Sequence, residues 1–331
     1  MKNASGRSLI DRIGAVAVMA VLAYVAIFAT PLSAQGSWKT KAPMPTARWG
    51  LAAAEGPGGL IYAVGGSTCF YCPVNTVEVY GPSTNTWTTA PPLPTPRYAL
   101  AAANLGGRIY AIGGYNLGYG GPLSTVEIFN PSTNAWSTAP SMPTARFNLA
   151  VVVANGLIYA IGGDGAGGGD SLNTLEVYNP STRKWTELPP MLTVQDALAA
   201  SLGDDGRIYA IGGWDSGQQT QINTVEAYDP STQTWAMVQS MPSLRQSLVA
   251  AASGSTIYAI GGVYGSTIVL ANVEEYSLSA NTWAIGPSMP TPRFQAAATA
   301  GPGGRIYVFG GSYYISGTSY TILSTVEAFT P

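Results

Sequence analysis

The chain has 331 residues, 10% of them charged, with 40 glycines, 24 prolines, two cysteines, no histidine and a net charge of −2. A chain without histidine cannot run Ser–His–Asp or Cys–His catalysis and cannot ligate zinc or copper through imidazole, and its near-neutral charge leaves no electrostatic footprint for nucleic acid. Turn-forming residues every few positions exclude long helices over most of the length, while the regular apolar runs between them exclude a disordered Gly/Pro-rich chain.

The first element is set apart from the rest. Lys2, Arg7 and Arg12 precede a nearly uncharged run from Ile13 to Thr30, followed by "PLSAQGSW". A basic start, an apolar stretch and small residues before a polar site describe an export signal, with cleavage expected after Ala34. The run is about 18 residues, long for a signal core and close to the minimum that spans a bilayer. Residues 1–34 are therefore expected to be a signal peptide or, uncleaved, an N-terminal membrane anchor, the chain's one route to a membrane. A buried core helix is disfavoured because the run lies outside the repeat described next. Either export reading places residues 35–331 outside the cytoplasm, as a secreted, periplasmic or cell-surface protein.

From residue 37 onward the chain repeats itself. Gly-Gly pairs begin at Gly65, Gly113, Gly162, Gly212, Gly261 and Gly310. Tryptophans keep the same beat at Trp38, Trp87, Trp136, Trp185, Trp235 and Trp283, and glutamates at Glu78, Glu127, Glu176, Glu226, Glu274 and Glu327. An arginine does so at Arg48, Arg97, Arg146, Arg245 and Arg293, with Gln195 in its place once.

The opening element of this region, "SWKTKAPMP", is a last strand without the three that should precede it. A complete repeat then reads as four short strands. After Arg97 comes "YALAAA", turned by "NLGG" into "RIYAIGG"; a Gly-rich loop leads to "STVEIF", and "NPSTNAW" turns the chain into its last strand. Each run is enriched in β-branched and aromatic residues and bounded by turn residues. The final repeat runs from Arg293 to "TVEAFTP" and lacks its Trp-bearing strand, so the two incomplete ends are expected to make one sheet. Such pairing removes the open strand edges that an unclosed array would expose. Four-stranded sheets repeated about an axis make a β-propeller.

The combination of Arg, aliphatic-Tyr-aliphatic-Gly-Gly, Val-Glu-x-Tyr and Asn-x-Trp at this period resembles the kelch repeat. The resemblance covers essentially all of residues 37–331. It implies an all-β, six-bladed kelch β-propeller with four antiparallel strands per blade and a last blade closed by the N-terminal strand.

A residue needed in every blade reads as structural. Gly-Gly supplies backbone conformations closed to other residues; phosphate binding is a poor reading, because neither a following helix nor a Gly-Lys-Ser/Thr signature is present. The Trp and Tyr sets suit the space between sheets. Glu78 and its counterparts share a strand face with a Tyr or Phe and are expected to be half-buried; since a buried carboxylate is costly unless paired, a ring of Glu–Arg pairs or Glu–backbone contacts is expected to brace the blades.

The loops between second and third strands diverge, and variable loops on a rigid scaffold are where function sits. They carry Phe70, Tyr71, Tyr115, Tyr119, Trp214, Tyr264, Tyr313, Tyr314 and Tyr320. The kelch resemblance implies that the residues just after the repeated arginine, Trp49, Tyr98, Phe147, Asp196, Gln246 and Phe294, stand by the central opening on that same side. They are candidate ligand-binding residues, with inward packing of the rings as the plainer alternative. The fourth repeat writes "MLTVQD" for "MPTAR", so Asp196 is either a polar recognition point or part of a degenerate repeat.

Cys69 and Cys72, spaced C-x-x-C in the first variable loop, are expected to form a local disulfide outside the cytoplasm, with a free pair or a metal or redox role as alternatives. Asp164 and Asp170 lie in a Gly-rich loop that lacks the ligand count of a calcium site. No cofactor or metal is expected. The copper-radical oxidases sharing the kelch propeller use histidine ligands, so their chemistry is excluded. The expected function is an extracytoplasmic binding module for a protein loop or a glycan. The alternative is a sugar mutarotase, since some exported six-bladed kelch proteins act so on sialic acid and that chemistry needs only carboxylates and hydrogen bonds. A purely structural surface protein is the third reading.

Overall fold

The β-branched and aromatic runs fold as the strands the repeat predicts. The computed structural model describes residues 36–165, 169–316 and 319–331; the expected signal or anchor over residues 1–34 lies outside the described residues. Blade one consists of Ala52–Glu55, Ile61–Val64, Val77–Gly81 and Thr86–Thr89, hydrogen-bonded antiparallel in that order. Blades two to five repeat the pattern, beginning at Ala101, Ala150, Ala199 and Val249. Blade six takes Ala297–Ala300, Ile306–Phe309 and Val326–Thr330 from the chain's end and Ser37–Lys41 from its beginning. In that seam Trp38 lies opposite Phe329, and Lys41 opposite Val326. The protein is an all-β, six-bladed propeller.

Three sets of bonds join each blade to the next. The innermost encircles the axis. Gly50, Ala99, Asn148, Ala197, Ser247 and Gln295 each donate their backbone N–H to the carbonyl of the equivalent residue one blade back, at 2.6–3.0 Å, and Gly50 closes the circle onto Gln295. All six have φ between 49° and 59°. Only Gly50 enters this left-handed region without a steric penalty, and Ala99 and Ala197 have no polar side chain to help them. Closing the circle is what holds them there, at a cost of roughly 1–2 kcal/mol per non-glycine residue.

The second set is the arginine series. Backbone groups of Arg97 bond to blade one, its N–H to Val74 and its carbonyl to Gly66, while its guanidinium reaches into blade two. There it donates to the carbonyls of Gly113 and Thr125 and to Glu127 Oε2, at 3.0, 3.1 and 2.5 Å. Arg48, Arg146, Arg245 and Arg293 repeat the arrangement, pairing with Glu78, Glu176, Glu274 and Glu327. These arginines are 0–1% exposed. The glutamates are 0–4% exposed, so they are fully buried rather than half-buried. The sheet face they share with Tyr80 and its counterparts is covered by the incoming link segment, whose Thr46 also donates to Glu78 at 2.7 Å. Burial presses the Arg48 pKa down, and the charge and hydrogen bond of Glu78 oppose that shift.

The third set lies at the outer edge. Trp87 Nε1 donates to the Ala42 carbonyl of blade six at 3.0 Å, Trp136 to Pro91 at 2.9 Å, and the other four repeat the step, so that Trp38 reaches Pro287. Each indole also lies 5.0–5.3 Å from a Tyr or Phe of its own blade, as Trp87 does from Tyr80.

Two outcomes follow from this bonding. Deleting residues 37–45 should abolish cooperative thermal unfolding, followed by calorimetry, because it strips blade six of its outer strand and the link that carries Met44 onto Ser324. Replacing Arg97 by Leu should cost about 3–5 kcal/mol in denaturant unfolding, since Glu127 is left charged and unpaired in the interior; replacing both partners with apolar residues should recover most of the loss.

Candidate functional site

The loops between second and third strands all emerge on one face. Three form small antiparallel ribbons: Tyr115–Asn116 with Gly121–Pro122, Val263–Tyr264 with Ile268–Val269, and Ser312–Ser316 with Ser319–Ile322. In blade four the two strands run on unbroken, as Ile208–Asp215 and Thr220–Asp229. At the foot of each loop the residue after the repeated arginine pairs with the residue after Gly-Gly: Trp49 with Ser67, Tyr98 with Tyr115, Phe147 with Asp164, Asp196 with Trp214, Gln246 with Val263, and Phe294 with Ser312. These pairings set six candidate residues in a circle directly beside the left-handed residues that constrict the axis.

The aromatic members gather into two groups. Trp49, Tyr98, Tyr115 and Phe147 form a continuous arc with successive ring centroids 5.1, 5.5 and 5.0 Å apart. Trp49 and Tyr98 are each only 8% exposed, so much of their surface packs on neighbouring rings. Burial also pushes the Tyr98 hydroxyl up to about 12, which keeps it a neutral donor at any physiological pH. On the other side Phe294 stacks on Tyr314 at 5.2 Å, and Phe70, 6.3 Å from Trp49 and 6.0 Å from Tyr320, bridges the two groups.

Between the groups is a cavity of about 740 Å3 walled by Trp49, Phe70, Phe294, Tyr314 and Tyr320. Ser266, Thr267, Gln295 and Ser312 give it polar groups, and none of its lining residues is charged. Such a volume with few polar groups in aromatic walls fits a ligand side chain or a sugar face. Of the candidate residues, Trp49 and Phe294 line this cavity, Tyr98, Phe147 and Tyr115 continue its edge, and Gln246 and Trp214 are half-buried elsewhere on the circle. Tyr264 is exposed and Tyr313 half-buried, and neither is part of the wall. Alternation along the Ser312–Ser316 strand explains the last point, since Ser312 and Tyr314 share the side opposite Tyr313.

The first loop is held in shape by its two cysteines. Cys69 and Cys72 are joined as a disulfide with their Cα atoms 5.1 Å apart. The Cys69 carbonyl accepts from Trp49 Nε1 at 3.0 Å and Ser67 Oγ at 2.6 Å, which ties the loop carrying Phe70 to the cavity wall. Among the described residues no group of three or more Asp, Glu, Cys or His could hold a metal ion.

Asp196 stands apart from the aromatics. It is 8% exposed, and its Oδ2 accepts from Ser171 Oγ at 2.6 Å. Ser171 in turn accepts from the Ser216 N–H, so Asp196 anchors the loops of blades three and four to one another. Burial pushes its pKa from 3.8 up to about 6, the Ser171 hydrogen bond opposes the shift, and repulsion from Asp164 adds to it.

Comparison with known proteins agrees with this architecture. The Attractin/LZTR1 beta-propeller family matches residues 109–327, more than half of the chain, and the Kelch motif matches residues 48–94. No curated protein sequence matches. The solved structure of YjhT superposes with a TM-score of 0.73 at 15% identity, covering 86% of this chain and 95% of that one, a likeness of fold alone.

The Asp196 shift has a thermodynamic consequence. Its folded-state pKa lies above the unfolded value, so the folded protein holds the extra proton between the two. The stabilisation is complete below about pH 4 and lost as the pH rises through about 6, a change of roughly 3 kcal/mol for a two-unit shift. Replacing Asp196 by Asn should remove this slope and raise stability at pH 7.5, as read from denaturant unfolding across pH 4–8.

Proposed function

We propose that this chain, which belongs to the Attractin/LZTR1 beta-propeller family, is an extracytoplasmic binding module that holds a protein loop or a glycan on the face carrying the second-to-third strand loops. Kelch propellers are generally protein-interaction modules, and the export pattern at the N-terminus is what supports the extracytoplasmic part of the reading. The observation that carries the reading is the cavity walled by Trp49, Phe70, Phe294, Tyr314 and Tyr320, on the one face where blades differ. Aromatic anchors on a rigid frame give a ligand large contact area at little entropic cost.

The mutarotase alternative has less support. It calls for arginine and carboxylate side chains converging with the aromatics. All five repeated arginines are buried against their glutamates, and the cavity lining has no carboxylate. Asp196 is the one candidate acid of the circle, and its contacts are to Ser171.

A peptide and glycan array probed with the purified protein should return a defined set of ligands. Replacing Trp49 by Ala should weaken their binding at least about ten-fold, as central aromatic contacts commonly do. An array with no ligand would leave the structural surface protein, and NMR showing accelerated anomer exchange of free sialic acid would favour the enzyme.

A further inference from the structure

The loops of the variable face are charged in one sense only, and the three that line the cavity, 67–75, 263–271 and 312–324, carry no charge at all. Residues 67–75, 115–124, 164–173, 214–223, 263–271 and 312–324 contain no lysine or arginine, yet they carry Asp164, Asp170 and Asp215, and Asp196 stands in the same circle as Trp49 and Phe294. The link segments add only the five repeated arginines, each buried on its own glutamate. In the fourth link even that pairing is incomplete, because Gln195 leaves Glu226 with neutral donors alone. The remaining basic residues among the described ones lie in or beside the turns of the opposite face or, as Lys39 and Lys41 do, on the outermost strand of blade six. Among the described residues the variable face therefore carries negative charge on blades three and four, across the ring from an uncharged, low-dielectric depression on blades five, six and one, with no accessible cation to offset it.

We propose that the cavity receives a cationic side chain, a lysine or arginine presented by a basic segment of a partner protein. This rests on the binding reading above and gives it a chemical class. Trp, Phe and Tyr faces attract a cation through their quadrupole, Trp most strongly, and Trp49, Phe70, Phe294, Tyr314 and Tyr320 enclose the cavity from several sides. Ser312, Ser266 and Gln295 offer neutral acceptors to the N–H groups of such a head, with no competing cation among the lining residues. An anionic ligand would find no counter-charge in the cavity wall, so a carboxylate-bearing sugar is the least suited occupant.

The test uses matched pairs that differ in charge and not in shape. Choline and its neutral isostere 3,3-dimethylbutan-1-ol would be titrated into the protein, with the indole N–H resonance of Trp49 as the reporter. Acetyl-Gly-Lys-Gly-amide and its norleucine analogue form the second pair. The expected result is that each cation binds about ten-fold tighter than its neutral partner and that added salt erodes the difference. Equal binding of charged and neutral partners would overturn the cation claim and leave the binding module standing. Response to choline but to neither peptide would overturn the assignment to a protein partner. No response of Trp49 to any of the four would remove both the cation claim and the cavity as a binding site.

Discussion

The structure depends on one side chain doing two things. Each repeated arginine is fixed by its backbone to the blade it leaves and by its guanidinium to the blade it enters. A propeller blade cannot bury both faces alone, and the hydrophobic burial that joins two blades is itself non-directional. A planar fork of donors that must reach two carbonyls and a carboxylate at once is directional. The indole bonds at the outer edge and the backbone circle at the axis then work on blades already registered. The loops of the variable face inherit this frame, and for that reason Trp49 and Phe294, 245 positions apart in the chain, wall the same cavity.

The backbone circle also shows why sequence alone left part of the site illegible. The repeats, the blade count and the seam could be read because each rests on a side chain or glycine that recurs in every blade. The circle recurs too, but through residues as different as Gly50, Ala99, Asn148 and Gln295, which share only a left-handed backbone. No side-chain pattern marks it. The candidate residues beside it were reachable from the kelch resemblance, and the Phe294–Tyr314 stack could have been foreseen from strand alternation once the Ser312 pairing was known. The contributions of Ser266 and Thr267 could not, because they come from the tip of a ribbon whose lean toward blade one depends on tertiary contacts.

The Glu–Arg pairing was foreseen in chemistry and underestimated in depth. Alternation placed Glu78 and Tyr80 on one sheet face, but the link from Met44 to Arg48 lies across that face and excludes solvent. What reads as a half-exposed strand position becomes interior because a segment 30 residues earlier covers it. A buried charge of this sort adds little net stability over an apolar pair, and its value lies in geometry, which is consistent with its recurrence at blade junctions rather than within the sheets.

Blade four shows that the constraint is on the carboxylate and not on the arginine. Gln195 supplies only a 3.3 Å contact to Glu226, so a simple loss of arginine would leave a buried, underbonded anion. The same link also exchanges proline for Leu192, and Leu192 now has the N–H that proline lacks. That N–H donates to Glu226 Oε2 at 2.7 Å, the Thr193 N–H to Oε1 at 2.9 Å, and the Thr193 hydroxyl to Oε1 as well. The Thr193 hydroxyl bond is the counterpart of the one Thr46 makes to Glu78, so the two backbone N–H groups and the longer Gln195 contact are what stand in for the guanidinium. The carboxylate keeps its hydrogen bonds and loses its counter-charge. A degenerate repeat therefore remains structurally complete, with its buried carboxylate bonded by backbone and amide donors in place of an arginine.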